Sequence, residues 1–136
     1  MLPEHGRAAT LANEVVVELF VRGNIQKAAD ASNVYFATFA ASELEYLAGE
    51  RGKSIARLGG SPDSVLLVSH EDNARVGTIY FYYVAVRSGV SVTYMIQVTQ
   101  ERRGLNVRSV LVGERIPPPN DTSDIPIESL SELIQD

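Results

Sequence analysis

The sequence predicts an α+β protein in which N-terminal helices pack on a curved antiparallel β-sheet. Residues 64–114 have the composition of four β-strands joined by tight turns, and three segments before residue 59 carry apolar residues at helical spacing. Helices followed by a meander of strands indicate a layer of helices that covers one face of the sheet.

Composition is that of an ordinary globular domain, since 136 residues with 45% hydrophobic content can bury a core. There is no apolar run long enough for a membrane span, and the N-terminus lacks the pattern of a signal peptide. The chain has no cysteine, which excludes disulfides, thiolate catalysis and cysteine-ligated metals. This fits a cytoplasmic protein and leaves an exported one open.

Charge is distributed unevenly. Residues 1–115 contain 12 basic and 12 acidic side chains, so the net charge of −5 comes from the last 21 residues. A neutral body with an acidic tail lacks the clustered Lys and Arg that bind phosphates, so we expect no nucleic-acid partner. We place the domain at residues 8–116 and a Pro-rich acidic tail at residues 117–136, whose short apolar stripe either frays or docks on a surface.

The helices are predicted from caps and spacing. Thr10 is a plausible N-cap for the first helix, Gly23 ends it, and Asn24 caps the second. Ser42 and Glu45 form an S-x-x-E capping box that predicts the start of the third helix. Two glycines weaken that helix, which therefore ends near residue 51 or continues to residue 58.

The central strands are predicted from their hairpin. A two-residue turn at Ser88-Gly89 places Arg87 opposite Val90. One face of the hairpin is then nearly all apolar and is expected to lie under the helices: Ile79, Phe81, Tyr83, Ala85, Val92, Tyr94, Ile96 and Val98. An even-length turn at residues 101–104 adds Val110 and Val112 to the opposite face, whereas a bulge reverses that assignment.

The opposite, outer face of the sheet is mixed but rich in aromatic residues. It carries Tyr80, Tyr82 and Met95. No fourth helical segment before the tail is available to cover this face. We therefore expect a homodimer that buries these three side chains at its interface.

The order of these elements resembles the nuclear transport factor two-like superfamily, which includes ketosteroid isomerases, SnoaL-type cyclases and noncatalytic bacterial domains. The resemblance lies in residues 15–29, with the Arg22-Gly23-Asn24 break, and in the strands at residues 75–87 and 90–101; it covers residues 8–116. It implies a cystatin-like cone fold, a pocket between the helices and the concave sheet, and frequent dimerisation through the sheet.

The resemblance to the isomerase branch does not extend to the catalytic residues. That branch carries a tyrosine on the first helix, a carboxylate base beyond the second and a carboxylic acid on a central strand. Here the first helix has no tyrosine, residues 31–41 contain no carboxylate, and the strand offers only Tyr94 and Gln97. The nearest carboxylates, Glu14 and Asp30, are expected to face water, so we expect no acid–base catalysis.

The predicted pocket suits a small apolar ligand. It lies between the first helix, residues 35–39 and the sheet, and its expected lining is Phe20, Phe39, Phe81, Tyr83, Tyr94 and Ile96. The sequence contains no dinucleotide or phosphate-binding motif, so no cofactor is expected.

A metal site is not predicted either. His70, Glu71 and Asp72 are adjacent, but neighbouring side chains of a strand point in alternate directions and cannot converge without a second contributor. We expect a solvated turn there and place the other histidine, His5, in an N-terminal arm.

Three functions remain open. The first is a noncatalytic small-molecule-binding or dimerisation domain with an apolar pocket, which the missing carboxylates favour. The second is an isomerase- or cyclase-like enzyme with an unrecognised arrangement of residues. The third is an assembly domain of an envelope complex that uses the acidic tail as a docking peptide.

Overall fold

The computed structural model describes residues 2–32, 40–102 and 104–113, and it confirms the α+β fold. The helical elements in this part are α1 (His5–Val16), a π-helix that continues it (Val17–Val21), α2 (Ile25–Ser32), α3 (Ala40–Leu58) and a short 3₁₀-helix (Ala74–Val76). The strands are β1 (Ser64–Asn73), β2 (Thr78–Arg87), β3 (Val90–Glu101) and β4 (Gly104–Val112). They pair in chain order as an antiparallel, curved and unclosed sheet. No described helix is long and apolar enough to cross a membrane.

Two helices begin earlier than predicted. α1 begins at His5, so Thr10 is not its N-cap; the Thr10 hydroxyl instead donates to the Gly6 carbonyl, 2.9 Å away, inside the helix. α3 begins at Ala40, so the box at Ser42 does not start it, and it continues to Leu58. Apolar spacing marks the buried face of a helix, but a helix also extends through polar and small residues that do not break it.

The junction between the π-helix and α2 is confirmed. Gly23 has a φ of +68°, a left-handed conformation that glycine adopts without a steric penalty. The Asn24 side chain accepts a hydrogen bond from the Lys27 backbone N–H at 3.1 Å, as an N-cap does. A Cβ at Gly23 would lie 2.7 Å from the guanidinium of Arg51, which brings α3 against this turn.

The hairpin register is also confirmed, with Arg87 opposite Val90. The inner face, which we define as the face toward the helices, carries the predicted apolar residues, and all eight of them belong to the buried core. α1 contacts β2, β3 and β4 on this face, and α3 contacts β3 and β4. The core therefore lies between the helix layer and the inner face.

A bulge decides which way the end of β4 faces. The pairing shifts by one residue at Arg108, so that Val110 lies opposite Ile96 and Val112 opposite Tyr94. Both valines are consequently buried in the core on the inner face. The alternative that placed Val110 and Val112 on the outer face is therefore wrong. The bulge that reverses that assignment lies within β4 and not in the turn at residues 101–104.

α3 covers the free edge of β4 through hydrogen bonds from its side chains. The Tyr46 hydroxyl accepts from the Val110 N–H at 2.9 Å and donates to the carbonyl of the same residue. The Glu50 carboxylate accepts from the Val112 N–H at 3.0 Å and is paired with Lys53 at 2.8 Å. Because these backbone groups are occupied, this part of the edge is not available for pairing with another strand.

Candidate functional site

The residues predicted to line a pocket lie in the core. Phe20, Phe81, Tyr83, Tyr94 and Ile96 are each at most 1% exposed, and the Phe20 ring stacks on Tyr94 with centroids 3.8 Å apart. Phe39 and the rest of residues 33–39 lie outside the described residues. The grooves found among the described residues are lined by other side chains.

The two buried tyrosine hydroxyls hold helices to the sheet. The Tyr94 hydroxyl is 2.6 Å from the hydroxyl of Ser54 on α3, and the Tyr83 hydroxyl donates to the Asn13 side chain on α1 at 2.7 Å. Burial raises the pKa of Tyr94 to about 12, against a small lowering by Ser54, and raises the pKa of Tyr83 well above 10. Both therefore stay protonated near neutral pH and serve as hydrogen-bonding groups rather than bases.

A groove of about 660 Å³ lies between α1, the π-helix and α2. We call it the α1–α2 groove. Its lining combines two acidic, two basic, two neutral polar and one apolar side chain: Glu14, Glu18, Arg22, Lys27, Thr10, Asn13 and Val17. Its volume is within the range of small-molecule sites, but its walls are far more polar than those of the predicted pocket.

Glu18 is the distinctive group of this groove. It lies in the π-helix, is 6% exposed, and accepts a hydrogen bond from the Arg22 guanidinium at 3.0 Å through Oε1. The other oxygen, Oε2, is buried and has no hydrogen-bond partner in the part of the chain that the structure describes. A buried carboxylate oxygen without a donor is costly and calls for an explanation, such as a water or a ligand.

The π-helix explains why Glu18 escaped sequence analysis. The apolar residues of this region recur at α-helical spacing, and Glu18 falls between the buried Val15-Val16 and Leu19-Phe20 pairs. A π-turn adds a residue per turn, and such turns occur often at functional sites. The only sequence signal was the spacing of Glu18 and Arg22, four residues apart, which is common on solvated helices.

The two carboxylates that the sequence placed in water are exposed, as expected. Asp30 accepts a hydrogen bond from Gln26 at 2.9 Å on the surface of α2. Glu14 lies on α1 and lines the groove from its rim.

A second cluster joins the start of α1 to the end of β1. Asp72 Oδ2 lies 2.8 Å from His5 Nε2, and Asp72 Oδ1 lies 2.8 Å from His70 Nδ1. The two imidazole rings are 5.1 Å apart. The prediction of a solvated turn at residues 70–72 is wrong, because β1 continues to Asn73 and His70 is buried. The prediction that His5 lies in an N-terminal arm is also wrong, because His5 lies in the first turn of α1.

A second bulge produces this cluster. The pairing of β1 with β2 shifts at Val68, so that His70 lies opposite Phe81 and Asp72 opposite Ile79, both on the inner face. Without the extra residue, His70 would point to the outer face. Glu71 lies on the opposite face of the strand, as expected. His5 supplies the side chain from a second element that joins His70 and Asp72 in the cluster.

The outer face carries the three residues predicted at a dimer interface. Tyr82 lies directly opposite Met95, and Tyr80 opposite Gln97. In the single chain Tyr82 and Met95 are already largely buried, at 9% and 6% exposed, although neither belongs to the core cluster. Tyr80 is half-buried. Association through this face would therefore take most of its new buried area from other residues.

No family model, curated protein or solved structure matches this chain significantly. The resemblance to the nuclear transport factor two-like superfamily therefore stays a prediction from the order of the elements.

Proposed function

We propose that this chain is a noncatalytic domain that binds a small polar ligand in the α1–α2 groove. The single observation that carries the proposal is that Glu18 lines the groove and that its buried Oε2 atom has no donor among the described residues. A ligand group that donates a hydrogen bond to this atom would offset the cost of its burial.

The charges of the groove indicate the class of ligand. Glu14 and Glu18 supply negative charge, and Arg22 and Lys27 supply an equal positive charge. A compact zwitterion, with an amine for Glu18 and a carboxylate for the two basic side chains, matches both signs. The small apolar ligand expected from the sequence fits this lining less well.

In the region predicted as a pocket, the state of the two tyrosines favours a binding role over catalysis. Proton transfer near neutral pH needs a positioned group whose pKa lies near that pH. Burial moves the pKa of both inner tyrosines away from neutrality. Burial also raises the pKa of Glu43, but Glu43 is not among the residues that line the α1–α2 groove.

The proposal is tested by mapping amide shifts in ¹⁵N-labelled protein during titration with 4-aminobutyrate. We expect saturable shifts at amides of α1, the π-helix and the start of α2. The variant Glu18→Gln keeps the side chain's shape but removes its charge, so it should weaken binding of the probe by about tenfold or more, since hydrogen bonds to charged groups contribute about 1.5–3 kcal/mol.

Two controls make the titration specific. Butyrate lacks the amine and should bind at least tenfold more weakly than 4-aminobutyrate. Asp30→Asn removes an exposed carboxylate outside the groove and should leave the affinity unchanged. Shifts that map to the sheet, or equal affinity of wild type and Glu18→Gln, would contradict the proposal.

A second candidate function, self-association through the outer sheet face, is favoured by apolar side chains that remain accessible there. Leu66, on β1, lies opposite Val84, on β2, and is 38% exposed; Tyr80 and Val84 are half-buried on the same face. Sedimentation velocity of the full chain tests it, with Leu66→Glu expected to dissociate the dimer. A wild-type monomer at micromolar concentration would exclude a stable dimer of this kind.

A further inference from the structure

We propose that His5, His70 and Asp72 form a binding site for a divalent transition metal of the zinc type, which fastens the start of α1 to the end of β1. Each residue offers one ligand atom, and the three atoms lie within 4.8 Å of one another. This site is separate from the α1–α2 groove, with which it shares no lining residue.

The donor set is chemically suited to such a metal. Two imidazole nitrogens and one carboxylate oxygen form the common three-residue set of zinc sites that keep a position open for water. Imidazole favours the later first-row metals over Mg²⁺ and Ca²⁺, which prefer oxygen ligands.

The distances require a local adjustment of the side chains. At metal–ligand distances near 2.0–2.1 Å, a tetrahedral site separates its ligand atoms by about 3.3 Å. The nitrogens of His5 and His70 lie 2.8 Å from different oxygens of Asp72, Oδ2 and Oδ1. The three ligand atoms lie within 4.8 Å of one another, so the widest separation has to close by up to about 1.5 Å around the ion. To coordinate, the nitrogens of His5 and His70 that face Asp72 must be unprotonated; in the neutral ring the proton then resides on the other nitrogen.

Burial positions the ligands and leaves an entrance. The His70 side chain is 5% exposed, and its ring lies 6.4 Å from Phe81 at the edge of the core. The His5 and Asp72 side chains are 21% and 33% exposed, so an ion can reach them from solvent. One buried ligand at the edge of the core and two at the surface give a site with an open side.

The local backbone holds the same arrangement. His70 and Asp72 are two residues apart on β1 and share the inner face because of the bulge at Val68. His5 is the first residue of α1, which packs on that face. An ion bound by all three would therefore link residues 67 positions apart in the chain and stabilise the folded state over the unfolded one.

The test uses the tag-free full chain after treatment with EDTA and desalting, titrated with ZnCl₂. The chain has only two histidines, so ¹H–¹³C spectra of the imidazole groups report on both ligands without ambiguity. We expect both signals to shift together and to saturate at one equivalent. Calorimetry should give one site per chain, and the midpoint of thermal unfolding should rise with bound zinc.

Variants separate this site from adventitious binding. His5→Gln changes a partly exposed residue and should preserve the fold. Asp72→Asn keeps the shape of the third ligand. Each variant should weaken zinc binding by about 100-fold or more, since even changes to residues that only hydrogen-bond to a metal ligand reduce affinity 10–100-fold. Glu71→Gln is the matched control on the opposite face of the strand and should bind zinc like the wild type.

Several outcomes would overturn the proposal. They are the absence of a shift with ZnCl₂, a shift of only one histidine, and a loss in His5→Gln smaller than tenfold. In those cases the three residues are a hydrogen-bonded clamp between α1 and β1. Failure of this test leaves the ligand groove unaffected, because the two sites share no residue.

Discussion

The hydroxyl of Tyr94 provides a sharp test of how α3 is fixed to the sheet. Tyr94 is fully buried, its ring stacks on Phe20, and its hydroxyl lies 2.6 Å from that of Ser54. Tyr94→Phe removes only the hydroxyl and leaves the ring stack in place. The hydroxyl of Ser54, which is 1% exposed, then loses this partner.

The expected magnitude follows from this geometry. A buried polar group that loses its partner costs about 1–3 kcal/mol, whereas removal of both partners can be nearly neutral. Ser54 lies inside α3 and can turn its hydroxyl to a carbonyl of the preceding turn, which reduces the cost. We therefore expect Tyr94→Phe to lower the free energy of unfolding by about 1–2 kcal/mol.

A double-mutant cycle measures the interaction directly. Tyr94→Phe, Ser54→Ala and the double variant would be unfolded in urea, and the double variant should be more stable than the sum of the single losses predicts by about 1 kcal/mol. Strictly additive losses would refute the inference that this hydrogen bond fixes α3 to β3.

Three further predictions concern stability. The pKa of Tyr94 is about 12 in the folded chain and about 10 in the unfolded one, so ionisation of the unfolded chain lowers the free energy of unfolding by about 3 kcal/mol as pH rises from 10 to 12. Below pH 10 this loss is absent. Wild type should therefore lose more stability than Tyr94→Phe between pH 10 and 12 in urea titrations. Tyr46→Phe should lower the free energy of unfolding by about 1 kcal/mol. It should also speed hydrogen exchange of the Val110 amide, because that amide donates to the Tyr46 hydroxyl. Unchanged exchange would contradict the contact between α3 and the edge of β4. Gly23→Ala should lower the free energy of unfolding by about 1–2 kcal/mol, because Gly23 has a positive φ. Gly49→Ala in α3 should raise it by about 1 kcal/mol, since a Cβ at Gly49 would meet nothing within 4 Å. Equal effects of the two variants in chemical denaturation would refute this contrast.

The sequence was sufficient for the architecture because the hairpin and the helical spacing are local signals. The Ser88-Gly89 turn determines the pairing of β2 with β3, and strict alternation then assigns every side chain between residues 78 and 99 to a face. The same alternation predicted which aromatic residues enter the core. It could not distinguish a packed core from a pocket, since both require the same apolar face.

The bulges could not be predicted, because one extra residue leaves no distinct local pattern. The bulge at Val68 turns His70 and Asp72 inward, and the bulge at Arg108 does the same for Val110. Proximity of His5 to β1 depends on tertiary packing of α1, which began five residues before the predicted cap.

Glu18 was missed for a related reason. Helical periodicity assumes 3.6 residues per turn, and a π-helix at Val17–Val21 departs from that assumption where the carboxylate is buried. A charged residue between two apolar pairs is usually solvated, so pattern alone favours an exposed side chain. The groove became evident only once α1, the π-helix and α2 were placed together.

The most direct test of ligand binding in the α1–α2 groove is a crystal structure of the protein soaked with 4-aminobutyrate. We expect density in the groove with the amine within hydrogen-bond distance, about 2.7–3.2 Å, of Glu18 Oε2. We also expect the carboxylate of the probe to face Arg22 and Lys27. An empty groove at saturating probe, or density between the helices and the inner face of the sheet, would contradict the proposed binding site.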